Sequence, residues 1–313
     1  MTLRYKVLPD DRRPLLKKIL QDGSGIRIVE AHNGLSALVA STASYCGEDA
    51  RNMHFDGLWV SSLTSSAAQG LPDCELNNIE RRLETIEEVC NATDKFVIVD
   101  GDTGGEPINF QYFCNRLEMM GISAIVVEDK EYPKRNSLST HATHHLEDPH
   151  VFAQKIRQGK DVLLSNDFMI FARLESLIAG AGVEDALMRA RIYLEADVDG
   201  IMIHSKKRTT DEVYAFLCGY EEICRELNTR KPVICVPTTY NAVTDEELFQ
   251  HGVNIVIHAN HLLRAAYSAM QKVCQTILQN DRNLEAEELC VPVPTLFDIV
   301  GFDDVVAKTA SVR

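Results

Sequence analysis

The stretch Phe96-Val-Ile-Val-Asp-Gly-Asp102 decides the fold, because an unbroken apolar run there leads directly into charged residues. Runs of Val and Ile without alternating polar residues are typical of strands that are buried on both faces, as in parallel sheets. Similar runs recur along the chain. All eight lie at residues 26–33, 57–63, 96–102, 124–130, 168–175, 199–205, 233–238 and 254–260. The repetition indicates eight buried strands, each of which ends in polar side chains.

The segments between these runs have the apolar spacing of helices. Predicted helices occupy residues 35–44, 79–90, 110–120, 149–157, 184–195, 210–227, 245–251 and 262–278. Strands that alternate with helices in this way predict an α/β fold of the (β/α)₈ TIM-barrel type, whose active site lies at the carboxyl ends of the strands. We therefore expect the polar residues at the strand ends to face one pocket. They are Ser61, Asp100, Asp102, Glu128, Arg173, His204 and Asn260.

The length suits one domain, because a barrel of this type uses ~250 residues and the chain has 313. Residues 1–25 are expected to form a lead-in with a short helix, residues 26–279 the barrel, and residues 280–313 a carboxyl-terminal extension. Long loops are expected at residues 48–56, 64–78 and 131–147. Long loops on the catalytic face of a barrel often act as lids.

Composition and charge exclude several classes of protein. The net charge of −14 argues against nonspecific nucleic-acid binding, which depends on clustered Lys and Arg. The nine cysteines are odd in number and form no C-x-x-C pair, which is typical of reduced thiols in a cytoplasmic protein. The amino terminus has no apolar core of a signal peptide, and no apolar run reaches the ~18 residues of a membrane span. A cytoplasmic protein without nucleic-acid or membrane partners is therefore expected.

An acidic cluster is predicted at the ends of the third and fourth strands. Asp100 and Asp102 are two residues apart, so strand geometry places them on one face, and Glu128 ends the next strand. Asp73 could reach in from the preceding loop. Carboxylates that converge in this way repel one another unless a cation joins them, and Mg²⁺ prefers such oxygen ligands. Alternatively, Asp100 and Asp102 form a turn or cap a helix, since Asp-Gly-Asp is prone to turns.

Cationic side chains are predicted across the pocket from the acids. Arg173 and His204 end the fifth and sixth strands, and Lys130, Lys134 and Asn136 add donors from the loop that follows the fourth. Arg offers a fork of donors for phosphate or carboxylate, and His can donate to an oxyanion or move a proton. Mg²⁺ on one wall and Arg with His on the other suit a small dianionic substrate and phosphoryl transfer.

Structural roles remain open for several of these residues. Arg173 could form a salt bridge with Glu175, and His204 could be a buried histidine with satisfied hydrogen bonds. Trp59 is read as pocket wall or barrel core. Three histidines in the long loop resemble a metal cluster but are interpreted as solvated or structural. They are His141, His144 and His145.

One stretch resembles a known family. Residues 128–137, EDKEYPKRNS, are similar to the EDKxxxxxNS signature of the phosphoenolpyruvate mutases, in the isocitrate lyase/phosphoenolpyruvate mutase superfamily. The resemblance extends over about residues 26–280, including the segments 59–63 (WVSSL), 100–104 (DGDTG) and 204–207 (HSKK). It implies a Mg²⁺-dependent isomerase that interconverts phosphoenolpyruvate and phosphonopyruvate and so opens phosphonate biosynthesis.

The resemblance also implies a role for each matching residue. Asp102 would bind Mg²⁺ directly, and Asp73, Asp100 and Glu128 would hold waters on it. The residues implied for substrate binding are Trp59, Ser61, Ser62, Leu63 and Ser137. The residues implied for holding the phosphoryl group during its transfer are Lys134, Asn136, Arg173 and His204. A metaphosphate-like transfer would need no protein nucleophile, and a lid over residues 129–138 would exclude water.

Other functions stay open at this point. A phosphonopyruvate hydrolase would share the barrel and metal site and release pyruvate and phosphate. Carbon–carbon lyases of the superfamily carry a catalytic cysteine in the loop after the fourth strand, and this chain has none there. A barrel that binds a carboxylated metabolite without turnover is a further possibility. The resemblance also implies a homo-oligomer, a dimer or tetramer, in which a terminal helix is exchanged between paired barrels.

Overall fold

Eight parallel strands form a closed barrel in the computed structural model, which describes residues 6–47, 52–139 and 142–310. The barrel strands are β1 (Ile26–Glu30), β2 (Gly57–Val60), β3 (Phe96–Asp100), β4 (Ala124–Glu128), β5 (Met169–Leu174), β6 (Gly200–Ile203), β7 (Val233–Cys235) and β8 (Ile255–His258). Each strand pairs with its neighbours in chain order, and β8 closes the barrel on β1, where Ile255 is opposite Ile26. The predicted (β/α)₈ barrel is confirmed, with all eight strands inside the predicted runs.

Helices cover the outside of the barrel where the sequence predicts them. The helices between strands are Gly34–Thr42, Ser62–Ala68, Ile79–Asn91, Pro107–Met119, Pro149–Asp161, Ser176–Ala179, Gly182–Glu195, Asp211–Glu226 and Asp245–Gln250. Capping residues fix where two of these helices begin. Thr244 and Glu247 form a reciprocal capping box at the start of helix Asp245–Gln250. Asp148 caps helix Pro149–Asp161, which has Pro149 in its first turn. One prediction is wrong, because residues 64–68 belong to a helix and only residues 69–78 remain a loop.

Alternation along the strands divides the core into two layers. Successive side chains in a strand point to opposite faces, so Phe96 and Ile98 fill the barrel interior while Val97 and Val99 pack under the helices. The lead-in closes the amino-terminal end of the barrel. Its helix Leu15–Gln21 inserts the fully buried Leu16 into the interior layer.

A small hairpin lies between the first two units. Its strands Ser44–Cys46 and Asn52–His54 pair antiparallel, within and beside the predicted insertion 48–56. Residues 48–51 lie outside the described residues. All nine cysteines are free thiols.

The last helix and the extension are packed in part on the core beneath the helices, through Leu262 and Ile299. Helix His261–Asn280 fully buries none of its residues, and Tyr267, Met270 and Leu278 are exposed. The extension forms the helices Leu284–Glu287, Val293–Val300 and Phe302–Ala310, which also expose apolar side chains. None of the helices in the described parts of the chain combines the length and apolarity needed to cross a membrane.

Candidate active site

Strand alternation directs the polar strand ends into the barrel mouth. In β3 the interior side chains are Phe96 and Ile98, so Asp100, two residues further on, has the same orientation. In β4, Glu128 likewise follows the interior residue Val126 by two positions. The same spacing of two positions separates three further interior residues from the polar residues that follow them: Trp59 from Ser61, Phe171 from Arg173 and Met202 from His204. Five of the seven residues that the sequence predicts for one pocket therefore meet because each follows an interior apolar residue by two positions.

A small cavity of about 60 Å³ opens at this end of the barrel, which is room for roughly five waters at ~10–15 Å³ each. Eleven of the thirteen predicted site residues line it: Trp59, Ser61, Ser62, Leu63, Asp73, Asp100, Lys134, Asn136, Ser137, Arg173 and His204. Asp102 and Glu128 lie directly behind that lining. The remaining wall consists of Leu138, Met202, Val236, Thr238, Ala259 and Asn260. A space of this size indicates a small ligand.

One side of the site, which we call the acidic wall, consists of Asp73, Asp100, Asp102 and Glu128. It is built on a tight turn after β3. Asp102 has a φ of +54°, and its backbone N–H donates to Asp100 Oδ1 at 3.3 Å. The turn that the sequence offered as an alternative is therefore present, and it brings Asp100 and Asp102 to the same pocket. Arg82 supports the turn from outside by donating to Asp102 Oδ2 at 2.9 Å and to the carbonyl oxygen of Asp100.

The ammonium group of Lys134 lies among the carboxylates. Its Nζ is 2.6 Å from Asp102 Oδ1 and 3.1 Å from Asp73 Oδ1, and it donates to Ser62 Oγ at 2.8 Å. Burial by itself would raise the pKa of Asp102, but the charges of Lys134 and Arg82 lower it to about 2. A positive charge at this point is therefore what the cluster stabilises.

Glu128 is the carboxylate with the weakest support. It is almost fully buried, and neither of its side-chain oxygens accepts a hydrogen bond. Its ion pairs are long, at 3.6 Å to Lys130 Nζ and 3.4 Å to Arg173 Nη2. Burial raises its pKa to about 7, although the neighbouring cations oppose the shift. A buried carboxylate with free oxygen atoms has the chemistry of a ligand for a hard cation.

The acidic wall fits a divalent cation only with help from other oxygen atoms. Within the described ranges, no three His, Cys, Asp or Glu side chains are close enough to hold a metal ion by themselves. Mg²⁺ is commonly bound through one or two carboxylates, with water and substrate oxygens completing its shell. The donor set around Asp102 and Glu128 therefore suits Mg²⁺ and not a closed zinc site, which needs Cys or His ligands.

The other side of the site, which we call the cationic wall, consists of Arg173 and His204. The buried carboxylate of Glu175 holds both side chains in place. Glu175 Oε1 accepts from Arg173 Nε at 2.6 Å and lies 2.8 Å from His204 Nδ1, while Oε2 is 2.8 Å from Lys130 Nζ. The salt bridge that the sequence offered as an alternative role for Arg173 therefore exists. Because Arg173 and His204 also line the cavity, the ion pair with Glu175 orients them and does not remove them from the site.

Hydrogen bonding settles which nitrogen of His204 faces the ligand. His204 Nδ1 lies 2.8 Å from Glu175 Oε1, which can only accept, and 2.9 Å from Arg173 Nη2, which can only donate, so Nδ1 is engaged within the wall and Nε2 is left for the pocket. Burial and the charge of Arg173 lower the pKa of His204, and Glu175 opposes this effect. Arg173 lies opposite Glu128 in the pairing of β4 and β5, so the acidic and cationic walls meet there.

The loop after β4 closes over both walls. Asn136 Nδ2 donates to Asp73 Oδ2 at 2.6 Å, and Ser137 Oγ lies between Arg173 Nη2, at 2.9 Å, and Glu175 Oε2, at 2.6 Å. We call residues 129–138 the lid. Lys130, which the sequence predicts as a donor in the pocket, instead lies buried at the base of the lid, where it contacts Glu175 and Ser137.

Of the three histidines in the long loop, the two that the structure describes lie outside this cavity. His144 and His145 line a separate surface cavity with Lys130 and Arg135, and His141 lies outside the described residues. Sequence reasoning also missed three charged residues that support the site, namely Glu75, Arg82 and Glu175. Glu175 was recognised only as a salt-bridge partner, and its position two residues beyond Arg173 in the strand was the available signal. Glu75 and Arg82 carry no signal in the strand pattern, because they come from a loop and a helix.

Comparisons with known proteins agree with this geometry. A family model described as phosphoenolpyruvate phosphomutase matches residues 16–278. A phosphoenolpyruvate phosphomutase of Tetrahymena pyriformis is 36% identical over 290 residues, which cover 92% of this chain and 91% of that protein. The crystal structure of a phosphoenolpyruvate phosphomutase from Streptomyces platensis subsp. rosaceus is similar, with a TM-score of 0.85 at 34% identity over 96% of this chain and 99% of that chain. A crystal structure of phosphonopyruvate hydrolase with oxalate and Mg²⁺ has a TM-score of 0.82 at 30% identity over 96% and 98%.

Proposed function

The chain belongs to the phosphoenolpyruvate phosphomutase family, and from that membership we propose that it interconverts phosphoenolpyruvate and phosphonopyruvate. The observation that carries the proposal is the closed lid, whose Lys134 and Asn136 reach the acidic wall across a cavity bounded by Arg173 and His204. Lys134, Arg173 and His204 offer donors to the cavity, and no cysteine lines it among the described residues. This arrangement suits the movement of a phosphoryl group between two atoms of one small molecule.

The end of β2 would hold the pyruvate part of the substrate. Helix Ser62–Ala68 begins in the pocket, and the hydroxyl of Ser61 makes no capping hydrogen bond there. The first N–H groups of a helix have no partner within it and favour anions. The Ser61 hydroxyl and the backbone of Leu63 would therefore bind the carboxylate and enolate oxygens beside the ring of Trp59. The backbone N–H of Ser62, which donates to Asp100 Oδ2 at 3.3 Å, would join them once it is released.

The opposite wall would hold the phosphoryl group. Arg173 is fixed through Nε by Glu175 and through Nη2 by Ser137, so Nη1 of its guanidinium can donate to phosphoryl oxygens. A dianionic group would also favour protonated His204, whose Nε2–H then donates while Glu175 stabilises the imidazolium. Asn136 and Ser137 would donate from the lid. These contacts follow charge that spreads over the phosphoryl oxygens in a loose transition state.

A divalent cation fits the acidic wall, and we assign Asp102, Asp100, Asp73 and Glu128 to hold it. When bound, Mg²⁺ would neutralise charge on the enolate and phosphoryl oxygens. The chain must release Lys134 from Asp102 and Asp73 before a cation can take its place. Freed from these carboxylates, the lysine can donate to the substrate from the lid.

Water exclusion decides the outcome of the reaction. Rearrangement requires that the methylene carbon of the enolate, and not water, recapture the phosphoryl group. Closure of the lid brings Asn136 and Ser137 over the cavity and leaves room for few waters. Phosphonopyruvate hydrolase is the second candidate, favoured by the structural similarity to a hydrolase at 30% identity, and it would differ by admitting one water.

Phosphorus NMR of the enzyme with phosphonopyruvate and Mg²⁺ separates these functions. We expect a phosphoenolpyruvate signal to appear in the reaction with Mg²⁺. No such signal should form in a parallel reaction in which EDTA has removed the metal from the start. The reaction should start from phosphonopyruvate, because the equilibrium is expected to favour phosphoenolpyruvate. Phosphate without phosphoenolpyruvate would identify a hydrolase, and an unchanged spectrum would leave only a binding role.

The exposed last helix supports the proposal of a homo-oligomer. Tyr267, Met270 and Leu278 of helix His261–Asn280 are exposed within the described parts of one chain. Exchange of this helix between paired barrels, in a dimer or tetramer, would cover them. We also propose a cytoplasmic location, supported by nine free thiols.

A further inference from the structure

Glu75 joins two segments on which the active site depends. Its Oε1 accepts from the backbone N–H of Thr103 at 3.1 Å and from Thr103 Oγ1 at 2.7 Å, directly after the turn that carries Asp102. Its Oε2 accepts from the backbone N–H of Lys134 at 2.7 Å, in the lid. One carboxylate therefore bridges the acidic turn and the lid, and each of its oxygens serves a different segment.

The backbone at Glu75 is unusual in a way that fits this role. Its φ is +58°, a left-handed conformation that is strained for a residue with a side chain. Asp73, two residues earlier, points into the cavity and contacts Lys134 and Asn136. The left-handed residue lets this short loop present Asp73 to the pocket and Glu75 to the lid together.

The other end of the bridge is anchored. Thr103 is fully buried, its Oγ1 accepts from the N–H of Gly105 at 3.1 Å, and its carbonyl oxygen accepts from Lys155 Nζ at 3.1 Å. Helix Pro149–Asp161, which carries Lys155, belongs to the barrel wall. Glu75 therefore ties the movable lid to a fixed part of the barrel, since one of its partners is held in place.

We infer that Glu75 is a positioning residue that latches the lid, and that it thereby sets how much phosphoryl group is lost to water. This inference rests on the proposed function for its chemical consequence. With the latch weakened, water enters while the phosphoryl group is in transit. The P–C bond of phosphonopyruvate is broken, a P–O bond to water forms in its place, and the enolate methylene takes up a proton. The products are then pyruvate and phosphate.

Limited trypsin digestion tests the latch without any turnover. Trypsin cuts after Lys134 and Arg135, and Arg135 is exposed at the lid surface. In Glu75→Gln the amide retains one accepting oxygen, so either the lid or Thr103 loses its bond. With Mg²⁺ and oxalate present, we expect cleavage in the lid to become ~10-fold faster, as the loss of one charged hydrogen bond implies. Cleavage elsewhere in the chain should stay at the wild-type rate.

Two further variants keep this test decisive. Glu84→Gln removes the same charge from an exposed residue of helix Ile79–Asn91 and should behave as wild type. Thr103→Val removes the hydroxyl donor from the fixed end and should accelerate lid cleavage less than Glu75→Gln, because the Thr103 N–H remains. It also answers the question if Glu75→Gln does not fold. If folded Glu75→Gln is cleaved in the lid at the wild-type rate, the proposed latch is refuted. If only Thr103→Val folds, a wild-type rate of lid cleavage in that variant refutes it instead.

Product analysis then tests the consequence for the reaction. From phosphonopyruvate, Glu75→Gln should raise the ratio of phosphate to phosphoenolpyruvate several-fold, which a merely structural loss of active enzyme would not change. An unchanged ratio with faster lid cleavage would refute the role in water exclusion. If wild type forms no phosphoenolpyruvate, the proposed function fails, and the digestion result still decides whether Glu75 holds the lid.

Discussion

At the residue scale, the site consists of charges that are buried in opposed pairs. Lys134 lies on Asp102 and Asp73, and Arg173 lies on Glu175, each at ion-pair distance. Removing one partner of such a buried pair leaves the other without compensation. Changes at these positions therefore affect both charge balance and ligand binding, and their tests need a measurement of folding beside the measurement of activity.

Asp102→Ala is expected to abolish turnover, with kcat lowered by at least ~100-fold, because the cation site loses its central carboxylate. Mg²⁺ titration by calorimetry should show the binding heat disappear. Asp161→Ala, at an exposed helix end, serves as the control with unchanged values. A near-normal rate in the Asp102 variant would reject the metal assignment.

Asn136→Ala is expected to reduce rearrangement by ~100-fold without lowering the melting temperature appreciably, because the lid amide donates to the substrate rather than to the core. Steady-state kinetics and thermal unfolding of the same preparation measure the two effects. Asn109→Ala, on an exposed helix face, is the matched control. Unchanged kinetics would remove the lid amide from the mechanism.

At the scale of elements, the lead-in is part of the barrel wall and not a loose extension. Arg12 Nη2 donates to the carbonyl oxygens of Cys90 and Thr93 at 2.7 and 2.8 Å, so the lead-in caps the helix before β3. Leu16 joins the interior layer beneath the strands. The end of the barrel opposite the active site is therefore closed by packing, and its residues should govern stability more than catalysis.

Leu16→Ala is expected to lower the free energy of unfolding by ~2–5 kcal/mol, because a fully buried leucine leaves a cavity in a close-packed floor. Urea denaturation should show a lower midpoint with an unchanged slope. The kcat of the folded variant should stay near the wild-type value. Lys18→Ala on the same helix is exposed and should change neither quantity; equal stability of the two variants would contradict the packing role.

At the scale of the whole molecule, the apolar surface lies at the carboxyl-terminal end. No residue of helix His261–Asn280 is fully buried in one chain, and the extension after it exposes Leu296, Phe297 and Phe302 by two-fifths or more. Apolar patches of this extent mark interaction surfaces in soluble proteins. A second copy of the chain is the partner that the proposed helix exchange requires.

Light scattering after gel filtration is expected to give a mass of two or four times the 35.0 kDa of one chain. Met270→Glu places a charge on the exposed apolar side of the last helix and should shift the mass toward a single chain. Lys272→Glu, which alters charge on the same helix without touching an apolar side chain, is the control. A wild-type mass of 35.0 kDa would exclude the exchanged helix.

The sequence by itself determined the barrel and the location of the site. Eight apolar runs specify eight strands, and a period of two forces Asp100, Glu128, Arg173 and His204 inward once Ile98, Val126, Phe171 and Met202 are interior. That information is local, because each polar residue is placed by a neighbour two positions away in the same strand. The lid motif could be recognised from the sequence for the same reason, because its fixed residues all lie within a stretch of ten.

Only the tertiary structure decided how these residues pair. Lys134 meets Asp73 across 61 positions of sequence and Glu75 holds Thr103 across 28, and no local pattern encodes contacts between separate loops. Lys130 was predicted in the pocket and lies buried at the base of the lid, because buried Glu175 attracts its charge. Such pairings depend on which charges come together when the barrel closes, and burial makes each unpaired charge costly enough to select one arrangement.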